Sequence, residues 1–343
     1  MKTIFITGGA GFIGSNFVKY WYKNHPEYKI IVIDNLGYAG NTENIPLFIR
    51  EDTKRFEFWF GNVCNGELIN SLVARSNIVV HFAAESHVAR SIYDNHIFYV
   101  TDVLGTQTVS TAVVKNKKTI EKFVHISTSE VYGSADYEPM DEEHPLNPKS
   151  PYASAKCGAD RLVYSFIQTY DIPATIIRPF NQYGPYQHLE KVIPRFITAA
   201  LKNETLTVHG TGEARRDWLY VEDTCERLEK VILADIDKIK GEVFNLGSGE
   251  VFSVLDIAEM VTDILNKPKN LINKIGDRLG QVQHHVSSTN KAAEVLGVTP
   301  GRSFKEGLEQ TIKWYAENES WWKKIEWMSH VPIMTADGKV EMH

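Results

Sequence analysis

The sequence predicts an α/β fold: a doubly wound parallel sheet with helices on both faces, followed by a smaller α/β region. Three observations predict it. Short, continuous apolar runs alternate with helical patterns through the first half of the chain. A glycine-rich turn joins the first run to the first helix, and loops rich in Gly, Pro and Asn take over in the second half.

The strand-like runs lie at residues 3–7, 30–34, 78–83 and 123–127. They are apolar without alternation, as strands covered on both faces must be. Helical patterns fall between them at 14–24, 66–75 and 105–114, and a long helix beginning near Pro151 precedes a further strand at 174–178. Such alternation implies right-handed crossovers. Beyond Pro179 the loops carry aromatic and basic residues, and helices follow at 254–265 and 303–317. Residues 243–246 again read as a buried strand. The expected division is therefore 1–178 with a returning strand near 243–246, and 179–343 for a smaller region against the carboxyl edge of the sheet.

Of the 343 residues, 43% are hydrophobic and 23% charged, an ordinary globular composition. The net charge of −6 offers no general attraction to nucleic acid or anionic lipid, so an anionic ligand must be held by local donors. Cys64, Cys157 and Cys225 have no paired spacing, which fits a reducing compartment. The chain enters its first strand without a leader pattern, and no apolar run approaches the roughly 18 residues of a membrane span. The expectation is a soluble cytoplasmic protein. No His/Cys/Asp group has metal-ligand spacing, and no Ser-centred nucleophile elbow is present.

Thr7-Gly8-Gly9-Ala10-Gly11-Phe12-Ile13-Gly14 follows the first strand and opens a helix, the context a dinucleotide fingerprint requires. Gly8, Gly11 and Gly14 let backbone amides, with those of Phe12 and Ile13, approach a pyrophosphate at the helix N-terminus. Asp34 ends the second strand, followed by Asn35. A carboxylate there accepts the adenosine ribose hydroxyls and repels a 2′-phosphate, so the expected cofactor is NAD in a Rossmann fold. Asn62 and Val63 follow another strand-like run and are expected beside the adenine. Ala83 closes a strand where the nicotinamide half passes close to backbone. His81, alone at the end of an apolar strand, reads as packing.

Tyr152 and Lys156 lie four residues apart on the predicted long helix, so they share a face. A neighbouring ammonium and a positive nicotinamide lower the Tyr pKa from about 10 toward the working pH of a general base. Thr128, at the end of the strand 123–127, is placed to hydrogen-bond the same alcohol. Glu130 points beyond alcohol oxidation, because a carboxylate at a strand's carboxyl end can remove an acidic proton. In the second half, Asn181, Lys191, Arg216 and Arg278 are spread over loops that can converge on a diphosphate, which suits Arg in particular.

With these residues in view, the chain resembles the extended short-chain dehydrogenase/reductases, and among them the nucleotide-sugar 4,6-dehydratases typified by dTDP-glucose 4,6-dehydratase. The resemblance runs from TGGAGFIGSNF at Thr7 to WYAENESWW ending at Trp322. It includes AAESHVARSI from Ala83, STSEVYG from Ser127, SPYASAK from Ser150, RPFNQYGPYQ from Arg178 and RDWLYVED from Arg216. It implies that Tyr152, with Lys156 and Thr128, takes the proton of the sugar 4-hydroxyl while hydride passes from C4 to NAD. Glu130 then removes the C5 proton as water leaves C6, and the hydride returns to C6. Asn181, Arg216 and Arg278 match diphosphate contacts, and Ser86, His87, Lys191 and Val192 are expected on the substrate.

The sequence departs from the dTDP-glucose pattern in two places. Ser129 stands where that subgroup has the Asp of Thr-Asp-Glu, and Ala89 replaces another Asp. Ser129 can relay a hydrogen bond but cannot replace a carboxylic acid, so the substrate is expected to be UDP-N-acetylglucosamine or dTDP-glucose. The alternatives are a UDP-glucuronate decarboxylase, a dehydratase that releases a 5,6-ene, a 4-epimerase and a non-catalytic NAD-sensing protein. The resemblance also implies a homodimer built through the long helices.

Overall fold

The computed structural model describes residues 1–343 apart from 277, 278, 280, 281, 283, 330, 335–337 and 343. Its centre is a parallel sheet of seven strands: β1 (Lys2–Thr7), β2 (Tyr28–Asp34), β3 (Phe56–Phe60), β4 (Ile78–His81), β5 (Lys122–Ile126), β6 (Ala174–Pro179) and β7 (Val243–Leu246). Their order is β7-β6-β5-β4-β1-β2-β3. The chain winds outward from β1 through β2 to β3, then crosses back to β4 on the other side of β1. The crevice at the carboxyl ends of β1 and β4 is therefore the topological switch point, where open α/β sheets bind ligands. The expected returning strand is β7, paired with β6 from Val243↔Ile176 to Leu246↔Pro179.

Successive strand residues point to opposite faces, and each face has its own core. Ile4 and Ile6 join Phe17, Val18 and Trp21 of helix α1 (Phe12–Asn24). Phe5 between them joins the opposite core, with Leu72 of α2 (Gly66–Ala74), Val109 and Val113 of α3 (Gly105–Lys115) and Val163 of α4 (Pro151–Tyr170). Helix α4 begins as its sequence dictates: Pro151 occupies the first turn, and the Ser150 side chain accepts from the Ala153 amide.

A third core, with Tyr183, Phe196, Trp218, Leu308 and Trp322, lies beyond the sheet's carboxyl edge. It packs α5 (Val192–Lys202), α7 (Val254–Ile264) and α8 (Phe304–Glu317) on short strands, while α6 (Val221–Leu233) returns to the main sheet. The strand Arg215–Tyr220 organises these short strands, pairing with Asn181–Tyr183, Val251–Ser253 and His284–His285.

Two expectations need revision. The strand expected over 78–83 ends at His81, because the chain turns beneath the first glycine loop and leaves the sheet. One helical stretch, His96–Lys115, does have the length and mean hydropathy (1.2) of a span; half of it is buried inside the fold, so its apolar residues have a core to fill. Its first part includes a π-helical turn, Tyr99–Leu104.

Candidate active site

The switch point opens into a cavity of about 440 Å³ that reaches from the first glycine loop to the strand Arg215–Tyr220. On the first side the wall is backbone. Gly8 adopts φ +68°, and a Cβ there would stand 2.6 Å from the Ala83 amide nitrogen. At Gly14 a Cβ would lie 2.3 Å from the Gly8 carbonyl oxygen. Helix α1 has Gly11 as its N-cap and no side-chain cap among the described residues, and its first-turn residues Phe12, Ile13 and Gly14 line the cavity. Asp34 is fixed at the end of β2 by the amides of Ala10 (3.0 Å) and Leu36 (2.8 Å). Burial pushes its carboxyl up and those two amides pull it down. A glycine cradle, an uncapped helix terminus and a buried carboxylate fit the pyrophosphate and ribose of a dinucleotide.

On the floor, Thr128, Glu130, Tyr152 and Lys156 meet. Tyr152 is hydrogen-bonded to Thr128, whose hydroxyl also accepts from the Glu130 amide at 3.2 Å. Lys156 donates to the Ile126 carbonyl oxygen at 2.7 Å. Without the charge of a nicotinamide ring, the protein itself does not lower the Tyr152 pKa. Burial pushes the phenol well up, the Thr128 hydrogen bond opposes this, and the charges of Asp102 and Glu130 reinforce the rise. Lys156 is committed elsewhere: burial pushes its ammonium down, while Asp102 and Asp160 hold it up. Asp102 lies in the π-helical turn, with Oδ1 accepting from the Glu85 amide at 2.8 Å. His81 is packing as expected, buried and bonded to Thr7 (2.6 Å) and Thr106 (3.0 Å).

The opposite wall is made of side chains. Asn181 lies beside the cavity with its Nδ2 buried and without a hydrogen-bond partner among the described residues. Arg216 is buried on its strand and lines the same space. Lys191 precedes α5 and donates to the Ser86 carbonyl oxygen at 2.7 Å. Ser86, His87 and Val192 line the cavity, as do Phe12, Ile13, Asn35, Val63 and Ala83.

Two expected residues stand outside the lining. Asn62 is exposed and uses its side chain to accept from the Cys64 amide at 2.8 Å. Ser129 is buried and faces His285, with Oγ 3.5 Å from Nδ1. Arg278 lies outside the described residues.

Sequence reasoning missed Arg195. It lines the cavity from α5, has no side-chain partner among the described residues, and burial pulls its guanidinium down to about 10. Its signal was a cation inside an amphipathic helix, which is indistinguishable in sequence from a solvated face. Glu190 was also missed. Its side chain is fully buried against Arg90 (2.9 Å), which stacks on Tyr38 at 4.1 Å.

Known proteins resemble this chain in sequence and fold. The sequence model of the GDP-mannose 4,6-dehydratase family matches residues 5–311. The chain is 41% identical over 312 residues to the low-salt glycan biosynthesis protein Agl12 of Haloferax volcanii, covering 91% of this chain and 98% of that one. It is 38% identical over 324 residues to a dTDP-glucose 4,6-dehydratase of an Actinoplanes species, covering 93% and 99%. Among solved structures, dTDP-glucose 4,6-dehydratase from Bacillus anthracis, crystallised in complex with NAD, superimposes with a TM-score of 0.87 at 38% identity over 95% of this chain and all of that one. Shared from the glycine loop to the last core helix, this likeness is one of family: the chain belongs to the GDP-mannose 4,6-dehydratase family.

Proposed function

We propose that the chain is an NAD-dependent nucleotide-sugar 4,6-dehydratase, a lyase that turns a nucleotide-diphosphate hexose into its 4-keto-6-deoxy form. The observation that carries this reading is the presence of Glu130 in one cavity with Thr128, Tyr152 and Lys156. Oxidation or epimerisation at C4 needs only the last three, whereas loss of water across C5 and C6 needs a base at C5.

The cradle of Gly8, Gly11, Phe12, Ile13 and Gly14 would hold NAD, with Asp34 and Asn35 for the adenosine ribose and Val63 and Ala83 along its length. When bound, NAD would supply a hydride acceptor for C4 and a hydride donor for C6, with a positive ring charge that would favour the Tyr152 phenolate. Tyr152 takes the proton of the 4-hydroxyl, steadied by Thr128. Lys156, anchored on Ile126, adds positive charge near the phenol. The ketone at C4 makes the C5 proton acidic; Glu130 takes it and passes it to the C6 hydroxyl, which leaves as water, and a solvent-derived proton returns to C5 as hydride reaches C6, balancing the proton that Tyr152 releases. Asn181, Lys191, Arg195 and Arg216 hold the diphosphate, with Ser86, His87 and Val192 near the sugar.

The substrate is UDP-N-acetylglucosamine or dTDP-glucose, the former preferred. Ser129 and Ala89 support this preference, since both depart from the dTDP-glucose pattern. Residues 1–178, with the returning strand, form the NAD-binding domain, and 179–343 mainly the nucleotide-sugar-binding region. We place the protein in the cytoplasm, in keeping with three free thiols. We also expect a homodimer, because Ile97, Tyr99 and Leu104 expose 40%, 40% and 54% of their surface on one helical stretch, with Tyr164 of α4 exposed as well.

The test is incubation with dTDP-, UDP-, GDP- and CDP-sugars followed by mass spectrometry. Loss of one water without net reduction of NAD is the expected result. Loss of carbon dioxide means decarboxylation, an unchanged mass means epimerisation, and either outcome overturns the dehydratase.

A further inference from the structure

Glu130 is the second residue of a short 3-10 turn, Ser129–Tyr132, closed by Gly133. The buried imidazole of His285 spans that turn. Its Nε2 lies 2.7 Å from the Gly133 carbonyl oxygen and its Nδ1 3.5 Å from the Ser129 hydroxyl. A carbonyl oxygen only accepts, so Nε2 carries a proton and, in the neutral ring, Nδ1 accepts from Ser129. The ring is held in turn by its strand, where His285 pairs in register with Arg216, and by Phe180 at 5.7 Å.

We propose that His285 is a positioning residue for the elimination step: it staples both ends of the turn that presents Glu130 and so fixes that carboxylate against the sugar C5. This rests on the reading of Glu130 as the C5 base. Ser129 is then the anchor of the staple, which accounts for a hydroxyl turned away from the cavity at that position.

The staple is also electrical. Burial pushes the His285 imidazole down, Glu130 and the Gly133 carbonyl hold it up, and Arg216 and His144 lower it. Charging of His285 is thus linked to the charge on Glu130 and, in the opposite sense, to that of its strand partner Arg216. A diphosphate on Arg216 offsets one of the opposing charges, so substrate binding favours the imidazolium beside Glu130.

The experiment measures deuterium uptake at C5 of the sugar in heavy water and, without substrate, the NMR titration of the His285 ring. His285→Phe is expected to slow C5 exchange on the order of 100-fold while KM stays within about threefold. His285→Gln, which keeps one donor for Gly133, recovers roughly tenfold of that loss. The ring titrates at lower pH in Glu130→Gln than in the parent protein. Exchange within about twofold of the parent in His285→Gln and His285→Phe overturns the staple, as does a titration that Glu130→Gln does not move. If His285→Phe does not fold, the Gln variant decides alone, parent-like exchange overturning the proposal and a tenfold loss supporting it. Retention of C5 exchange in Glu130→Gln instead removes Glu130 as the base, a failure distinct from that of the staple.

Discussion

The two walls of the cavity are built from different materials. The wall at the start of the chain is backbone: glycines packed too closely for a Cβ, uncapped amides, and a carboxylate pinned by two of its neighbours' N–H groups. The far wall is long side chains, Arg195, Arg216, Lys191 and Asn181, brought from separate elements onto one space. A backbone site is rigid and tolerates one ligand shape. A side-chain site gains its affinity charge by charge and can change substrate by exchange of a residue. Between them sit Tyr152 and Glu130, whose chemistry needs both walls filled.

The largest expected effect lies at that seam. Tyr152→Phe should lower kcat on the order of 10³-fold with bound cofactor unchanged, measured as turnover against NAD content; a loss below tenfold would mean that another group takes the 4-hydroxyl proton. Gly14→Ala attacks the backbone wall alone. Its new methyl meets the Gly8 carbonyl, so NAD affinity should fall on the order of 100-fold while nucleotide binding to the other wall is retained. Calorimetry of each ligand separately decides whether the walls are as independent as their construction suggests.

Arg195→Leu is the converse. Removal of one charge from the side-chain wall should raise KM for the nucleotide sugar about tenfold and leave kcat and NAD binding near their parent values. The smallest effect concerns Glu190, which supports that wall from behind. Burial pushes its carboxyl up, but the charges of His87, Lys191 and His188 and the Arg90 hydrogen bond prevail and hold it down at about 2. A folded-state pKa below the unfolded one contributes stability above the unfolded value, and that contribution is lost as pH falls through the folded one. Glu190→Gln should therefore cost about 3 kcal/mol at neutral pH, with the difference in Tm shrinking below the ordinary glutamate range and vanishing near pH 2. A difference independent of pH would assign the loss to packing.

The same contrast explains what could be read from the amino acids. Five strands of the main sheet were legible as located runs, β3 only as a strand-like run before Asn62, and β7 as a short buried run far along the chain. The glycine turn and Asp34 were legible because few structures satisfy that pattern. Tyr152 and Lys156 were legible from helical spacing. Arg195 and His285 were not, because nothing local distinguishes a cation or imidazole aimed into a cavity from one facing water. The place of His285 depends on the strand Arg215–Tyr220, which gathers three short partners distant in sequence. Asn62 stands outside the lining for a related reason: its side chain satisfies a local amide, a competition that composition does not reveal. The upward push on the cofactor-free Tyr152 was not legible, because spacing showed neither the burial of the phenol nor that Lys156 is tied to Ile126 and to the charge of Asp102.

The central claim is that oxidation at C4 is temporary and is undone at C6 within one turnover. It is tested most directly with a nucleotide hexose carrying deuterium at C4. The account predicts a 4-keto-6-deoxy product with that deuterium at C6 of the same molecule and no net change in NAD. Deuterium lost to solvent, retained at C4, or trapped in released reduced cofactor would contradict it.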